Sequence, residues 1–289
     1  MTHIGRVTFA LVNAVDCNFA LPDFRNAAEE WRDNDGAVCA RGVVSNEHGW
    51  VELPGVGVFR FDREHRGVAA IPYPSVTVEV LRDSYYRAAL PLALHFFGFE
   101  VLHASAALTP LGVVAFCAVS ETGKSTTVAA LSERGYRPWA DDAVPVEIDE
   151  EGRGAHALAV PFRLRLESAP SPLGRQGERP PCWPEPGPIE LRSTPLVALC
   201  VMRRVDSSGH AAEIRRLTAV EAVAALLPHC YCFSLADPDR KRSMLQRYVE
   251  LAARVPTYEI TVASGLEKLP AVLDRIERVI PGFKHAIAP

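Results

Sequence analysis

The chain has 289 residues, 48% of them apolar and 23% charged, with a net charge of −4 and a pI near 6.2. This is the composition of a globular protein with enough core to fold without disulfides or metals, and it argues against a nucleic-acid partner, which needs a basic face. The longest apolar runs, 113–119 and 196–202, are seven residues each against the roughly 20 of a bilayer span; with seven scattered cysteines and no signal-peptide layout, a soluble, cytoplasmic protein without a membrane partner is expected.

Short β-branched or alternating runs at 4–12, 37–44, 56–61 and 68–71, separated by turn residues, predict strands. A helix is predicted from Asp83 or Ser84, either of which could cap it, to Gly98, kinked or split at Pro91. From Phe99 the rhythm changes to strands at 99–108 and 112–119, a helix over 124–134 closed by Gly135, and a strand over 136–143. That alternation predicts an α/β layer on a mixed or parallel sheet. Further strands are predicted at 144–148, 155–160 and 163–166.

Residues 170–188 hold seven prolines and three glycines, which excludes regular structure. This segment reads as a mobile lid or acceptor-binding loop outside the core. A hairpin of 196–203 with 211–217 is predicted next, then a helix from Thr218 to near Pro228. An amphipathic helix over 238–254, a strand over 257–262 and a last helix over 266–280 complete the chain. A domain boundary is placed near residue 83, giving a β-rich N-terminal domain (1–83) and a catalytic domain (84–289). A homo-oligomer stays open.

The segment that carries chemistry is the apolar strand 112–119 and the turn after it, with Ala118, Val119, Ser120, Glu121, Thr122, Gly123, Lys124, Ser125 and Thr126. A buried strand, a short polar turn and Gly-Lys-Ser-Thr opening a helix are the context of a phosphate-binding loop. Backbone N–H groups and the helix N-terminus would cradle an anion. Lys124 would reach the β- and γ-phosphates, and the Ser125 hydroxyl would be a Mg²⁺ ligand. Two features depart from the usual pattern: Ala118 stands where the first glycine belongs, and Glu121 adds a carboxylate. At the tip of the next strand, Asp141 and Asp142 suit a metal ligand and a proton acceptor, and His103 lies on the strand before the loop. His229, Cys230 and Cys232 make poor zinc spacing and read as buried residues. Arg240, Lys241 and Arg242 read as a solvated basic face.

Together these residues resemble the HPr kinase/phosphorylase family, whose catalytic domain has a phosphate loop of the phosphoenolpyruvate-carboxykinase type. His103 precedes Lys124 by 21 positions, and Asp141 and Asp142 follow it by 17 and 18, offsets that match the family pattern. The likeness is carried by 99–167 and is closest to stand-alone serine kinases such as those of lasso-peptide clusters. It implies an α/β P-loop kinase fold with a small β-rich N-terminal domain, and transfer of the γ-phosphoryl of ATP to a serine of a peptide or protein. It further implies that Ser125, Glu167 and Asp141 hold Mg²⁺, that Asp142 is the base, that His103 orients the aspartates, and that Arg216 or Arg215 is a late catalytic arginine. The segment 168–174 departs from the family signature, which counts against phosphorolysis and against HPr itself as substrate. A small-molecule kinase and an inactive nucleotide-binding regulator are the alternatives.

Overall fold

A computed structural model describes residues 2–12, 20–27, 29–32, 35–45, 47–149, 154–164, 183–205, 211–233 and 237–283. Six strands come first: β1 (Thr2–Leu11), β2 (Glu29–Arg32), β3 (Val38–Val44), β4 (His48–Leu53), β5 (Gly57–Asp62) and β6 (Gly67–Pro72). They lie in the order β1-β6-β5-β4-β3-β2, all antiparallel except β1 with β6. β2 and β4 escape the sequence reading because charged residues and Gly49 blur their alternation. Neighbouring strands impose the pairing that local propensity does not.

The first helix starts six residues before its predicted start. α1 (Val78–Ser84) is capped by Thr77, whose hydroxyl accepts from the Val80 N–H. Asp83 and Ser84 are therefore interior residues, not caps. Pro91 near the start of α2 (Leu90–Phe96) has no N–H to offer, and between the two helices runs a π turn, Tyr85–Ala89, in which the Leu90 N–H bonds to the Tyr85 carbonyl. The expected kink at Pro91 is thus absorbed as a widened turn, the usual form of such an insertion. Tyr85 is fully buried and stacks on Phe9, centroids 3.7 Å apart, so the helical segment and the first sheet share one core.

The predicted strand 99–108 breaks at His103 into β7 (Glu100–Leu102) and β8 (Ala104–Thr109). β7 pairs with β11 (Val144–Ile148), while β8 pairs with β9 (Gly112–Cys117) and β10 (Arg137–Ala140). Likewise 136–143 is β10 followed by a turn. β12 (Ala155–Ala159) pairs with β11 and with β13 (Pro188–Val205), an 18-residue strand. The first half of β13 lies against β1, the second between β9 and β15 (Thr257–Ala263), with a register shift just beyond Pro195.

The expected hairpin of 196–203 with 211–217 is not formed. β14 (Ala212–Arg216) pairs with β15, which stands between it and β13. Residues 163–164 are not strand, and the rest of that predicted strand lies outside the described residues.

Helices α3 (Lys124–Glu133), α4 (Ala219–Leu226), α5 (Pro238–Arg254) and α6 (Leu269–Val279) complete the fold. Side chains on β9 alternate as a strand demands: Val114 and Phe116 face α3 and α6, whereas Val113, Ala115 and Cys117 face α4 and α5. The result is a mixed α/β architecture in which β10-β8-β9-β13-β15-β14 is covered on both faces. Among the described residues no helix is long and apolar enough to cross a membrane.

Most of the proline-rich segment lies outside the described residues. Its end contradicts the expectation of a loop clear of the core: Trp183 is buried, stacks on Tyr86 at 4.7 Å and belongs to the first core. The basic face at 240–242 needs correction as well. Arg240 turns inward to Glu100 Oε1 (3.0 Å) and the His95 carbonyl (3.2 Å).

Candidate active site

The turn from β9 to α3 places a cation where helix electrostatics disfavour one. Gly123 precedes α3 with φ 109°, and the helix has neither a side-chain cap nor an acidic residue in its first turn. Its first N–H groups therefore have no partner within the helix and point into the turn. Lys124, buried, folds back so that Nζ donates to the Ala118 carbonyl at 2.9 Å. The positive-φ positions of this loop are Glu121 (65°) and Gly123 (109°), not Ala118. The alanine departure therefore costs no backbone strain, and its methyl packs in the α3–α6 core. Val119, Ser120 and Glu121 form the exposed rim, while Thr122 is buried beneath it.

The acidic pair sits at the end of β10, facing the start of α3. Ser125 Oγ donates to Asp141 Oδ1 at 2.8 Å, and Ser105 Oγ donates to the same oxygen at 2.5 Å. Asp142 adopts φ 64°, a left-handed conformation that aspartate tolerates better than most residues but that still costs about 1–3 kcal/mol. Two groups hold it there: Arg87 Nη1 donates to Oδ2 at 2.7 Å, and the Tyr231 hydroxyl donates to its main-chain carbonyl at 3.1 Å.

Electrostatics single out the same spot. Burial, then Lys124 and His229, push His103 down to about 4 against a smaller opposing pull from Asp141, so its imidazole is neutral at pH 7. Burial also lowers the pKa of Lys124, opposed by Asp142, Cys117 and Asp141. His229 is lowered by burial, then by Lys124 and Arg203. Desolvation outweighs the pull of Asp142 and Asp141 on Lys124, and at an uncapped helix N-terminus a phosphate would supply further counter-charge.

Next to the loop opens a cavity of about 230 Å³ lined by Thr122, Gly123, Thr126, Arg204, Leu269 and Val272, among others. Arg204 reaches from the end of β13 to donate to the Thr122 carbonyl at 3.1 Å. The wall is apolar on the α6 side and polar on the loop side, as in a site for an organic group attached to an anion.

The structure therefore brings together His103, Lys124, Ser125, Asp141 and Asp142, with the loop 118–126. It does not bring Arg216 to them: that residue pairs with Tyr258 on the outer strand β14, three strands from β9, about 14 Å at the usual spacing. Arg215 is engaged with Glu221 and Glu259. Among the described residues, Arg204 is the arginine bonded to the loop, at the Thr122 carbonyl. Glu167 lies outside the described residues. The oxygens of Ser125 and Asp141 fit a hard divalent cation, which takes oxygen ligands. Sequence reasoning passed over Ser105, Arg87, Tyr231 and Arg204, and read His229 only as a buried residue, which it is. Ser105 alone carried a local signal, two residues from His103 on a strand.

No protein-family profile matches the sequence, and no curated protein matches it. Among solved structures, the Hpr(Ser) kinase/phosphatase from Coxiella burnetii aligns with 11% identity and a TM-score of 0.32, over 62% of this chain and 88% of that one. The functional reading accordingly stands on the geometry of the site.

Proposed function

We propose that the protein is an ATP-dependent kinase that transfers the γ-phosphoryl group to a serine hydroxyl of a peptide or protein. The observation that carries this reading is one constellation: buried Lys124 at the uncapped N-terminus of α3, Ser125 bonded to Asp141, and Asp142 beside them. The motif spacing that resembles the HPr kinase family supports it. In this reading the α3 N-terminus and Lys124 take the β- and γ-phosphates, and the cavity under Arg204 takes the nucleoside. Ser125 and Asp141 would hold Mg²⁺, which supplies charge neutralisation for the phosphates.

The acceptor hydroxyl gives its proton to the Asp142 carboxylate while its oxygen bonds to the γ-phosphorus. The bond from that phosphorus to the bridging oxygen breaks, and ADP leaves with the electron pair. Lys124 and the fixed N–H dipoles at the start of α3 stabilise the charge that spreads over the phosphoryl oxygens. His103, uncharged at pH 7 and within electrostatic reach of Lys124 and Asp141, adds no competing charge.

The test is transfer from radiolabelled MgATP to serine-containing peptides, with binding of MgATP and of magnesium tripolyphosphate measured alongside. Label on serine, with MgATP bound more tightly than tripolyphosphate, is expected. Binding of neither compound would overturn the reading. Label on a small alcohol but no peptide would move the acceptor class while keeping the chemistry.

A further inference from the structure

Asp142 is aimed by a chain of contacts that begins in the N-terminal sheet. We propose that Arg87 is a positioning residue that holds the Asp142 carboxylate in its working orientation, so that the β-rich N-terminal region contributes to the site through it. The inference rests on the kinase reading for its activity readout, and on geometry alone for the rest.

Arg87 is committed at one end. Its Nε donates to both oxygens of Asp83 at 3.1 and 3.2 Å. Asp83 is fixed in turn by Trp183 Nε1 at 2.8 Å, and the Arg87 guanidinium lies against the Trp183 ring at 5.6 Å. The end that remains, Nη1, reaches Asp142 Oδ2 at 2.7 Å. No described residue donates to Oδ1, which is left for the acceptor hydroxyl. Planar, two-ended engagement of this kind suits a guanidinium and not an ammonium.

The backbone supplies the aim. Each residue of an α-helix turns it by about 100°, so a turn widened by one residue decides which face Arg87 occupies. That turn, Tyr85–Ala89, lies beside Pro91. It is clamped by Tyr85 stacked on Phe9 and by Tyr86 stacked on Trp183 at 15° between planes. Arg87 thus links the core of the first sheet to a residue at the end of β10. Asp142 is held at its other side by Tyr231, which leaves carboxylate rotation as the freedom Arg87 removes.

The experiment is a double-mutant cycle on the full chain with Arg87→Met, Asp142→Asn and the double variant, and with Arg87→Lys as the conservative control. Transfer rate, MgATP affinity and denaturant stability are read for each. Arg87→Met is expected to lower kcat by about 10- to 100-fold, the scale of a small misplacement of a reacting group, with MgATP affinity unchanged. In the Asp142→Asn background the same change is expected to cost little more, and Arg87→Lys to fall between. An equal loss in both backgrounds, or full kcat for Arg87→Met, would overturn the proposal. Should the wild type transfer phosphate to no acceptor, the kinase reading fails separately, and the cycle in stability decides: non-additive losses support the held carboxylate, additive losses overturn it.

Discussion

Among the described residues, two clusters of ionisable groups each contain a histidine held neutral. At the turn before α3, His103 is pushed down to about 4 by burial, then Lys124 and His229, against a pull from Asp141. Behind α2, His95 is pushed to about 3, by burial first and then by Arg240, which pairs with Glu100. By perturbation alone the second cluster is the stronger candidate. It is sealed, however: His95 and Glu100 are 1% and 2% exposed, and His95 Nδ1 accepts from the Phe233 N–H. The first lies at a helix terminus, and a cavity lined by Thr122, Gly123 and Thr126 opens beside its loop. A shifted pKa marks a functional site only where geometry gives a ligand access. The second cluster is therefore read as structural, and the proposed chemistry is placed at the first.

Substitutions can pull the two apart. The largest effect is expected at Asp142→Asn, which cannot accept the proton: transfer should fall by about 10²–10⁴-fold while MgATP affinity holds, as measured by single-turnover kinetics and calorimetry. Undiminished transfer would move the base, to Asp141 first. Next comes Arg240→Met, which strands a buried carboxylate and should cost about 3–5 kcal/mol in urea unfolding without altering MgATP affinity. A loss of affinity beyond the loss of folded protein would blur the division.

Acidification should act on both clusters. His95 and His103 have depressed pKa values in the folded state. Their contribution is therefore complete above the unfolded value near 6.5 and is lost as pH falls below it. By pH 5 each should have removed about 2 kcal/mol. Glu100, raised by burial, works the other way and regains stability on acidification. Urea midpoints from pH 7.5 to 5 check the sum, and His95→Gln should flatten the slope. The smallest change is Thr218→Ala, which removes the capping box with Glu221 at the start of α4. It should cost about 1 kcal/mol and touch neither binding nor transfer, as parallel melting and binding curves would show.

The strands and helices between 99 and 148 were legible in the sequence because a buried strand, a glycine turn and a lysine-led helix leave local signatures. The loop, Asp141 and Asp142 fell out of that reading. What stayed hidden depends on pairing across the fold. The break at His103 exists because β7 and β8 join different partners, and β15 displaces the expected hairpin by inserting beside β13. Arg87, Tyr231 and Arg204 come from segments 55, 89 and 82 positions from their partners. Nothing in their neighbours along the chain marks them. Arg216 was sought by its place before a helix, a local cue that does not report on which strand lies beside the loop.

The central claim is that the turn before α3 binds the phosphates of a nucleotide through Lys124. Thermal unfolding of wild type and Lys124→Ala, with and without MgATP at a hundredfold excess over Kd, tests it most directly. Wild type should gain about 2.7 kcal/mol by mass action, and Lys124→Ala should lose most of that gain while remaining folded. A wild type indifferent to nucleoside triphosphates, or a Lys124→Ala protein stabilised as much as wild type, would contradict the account.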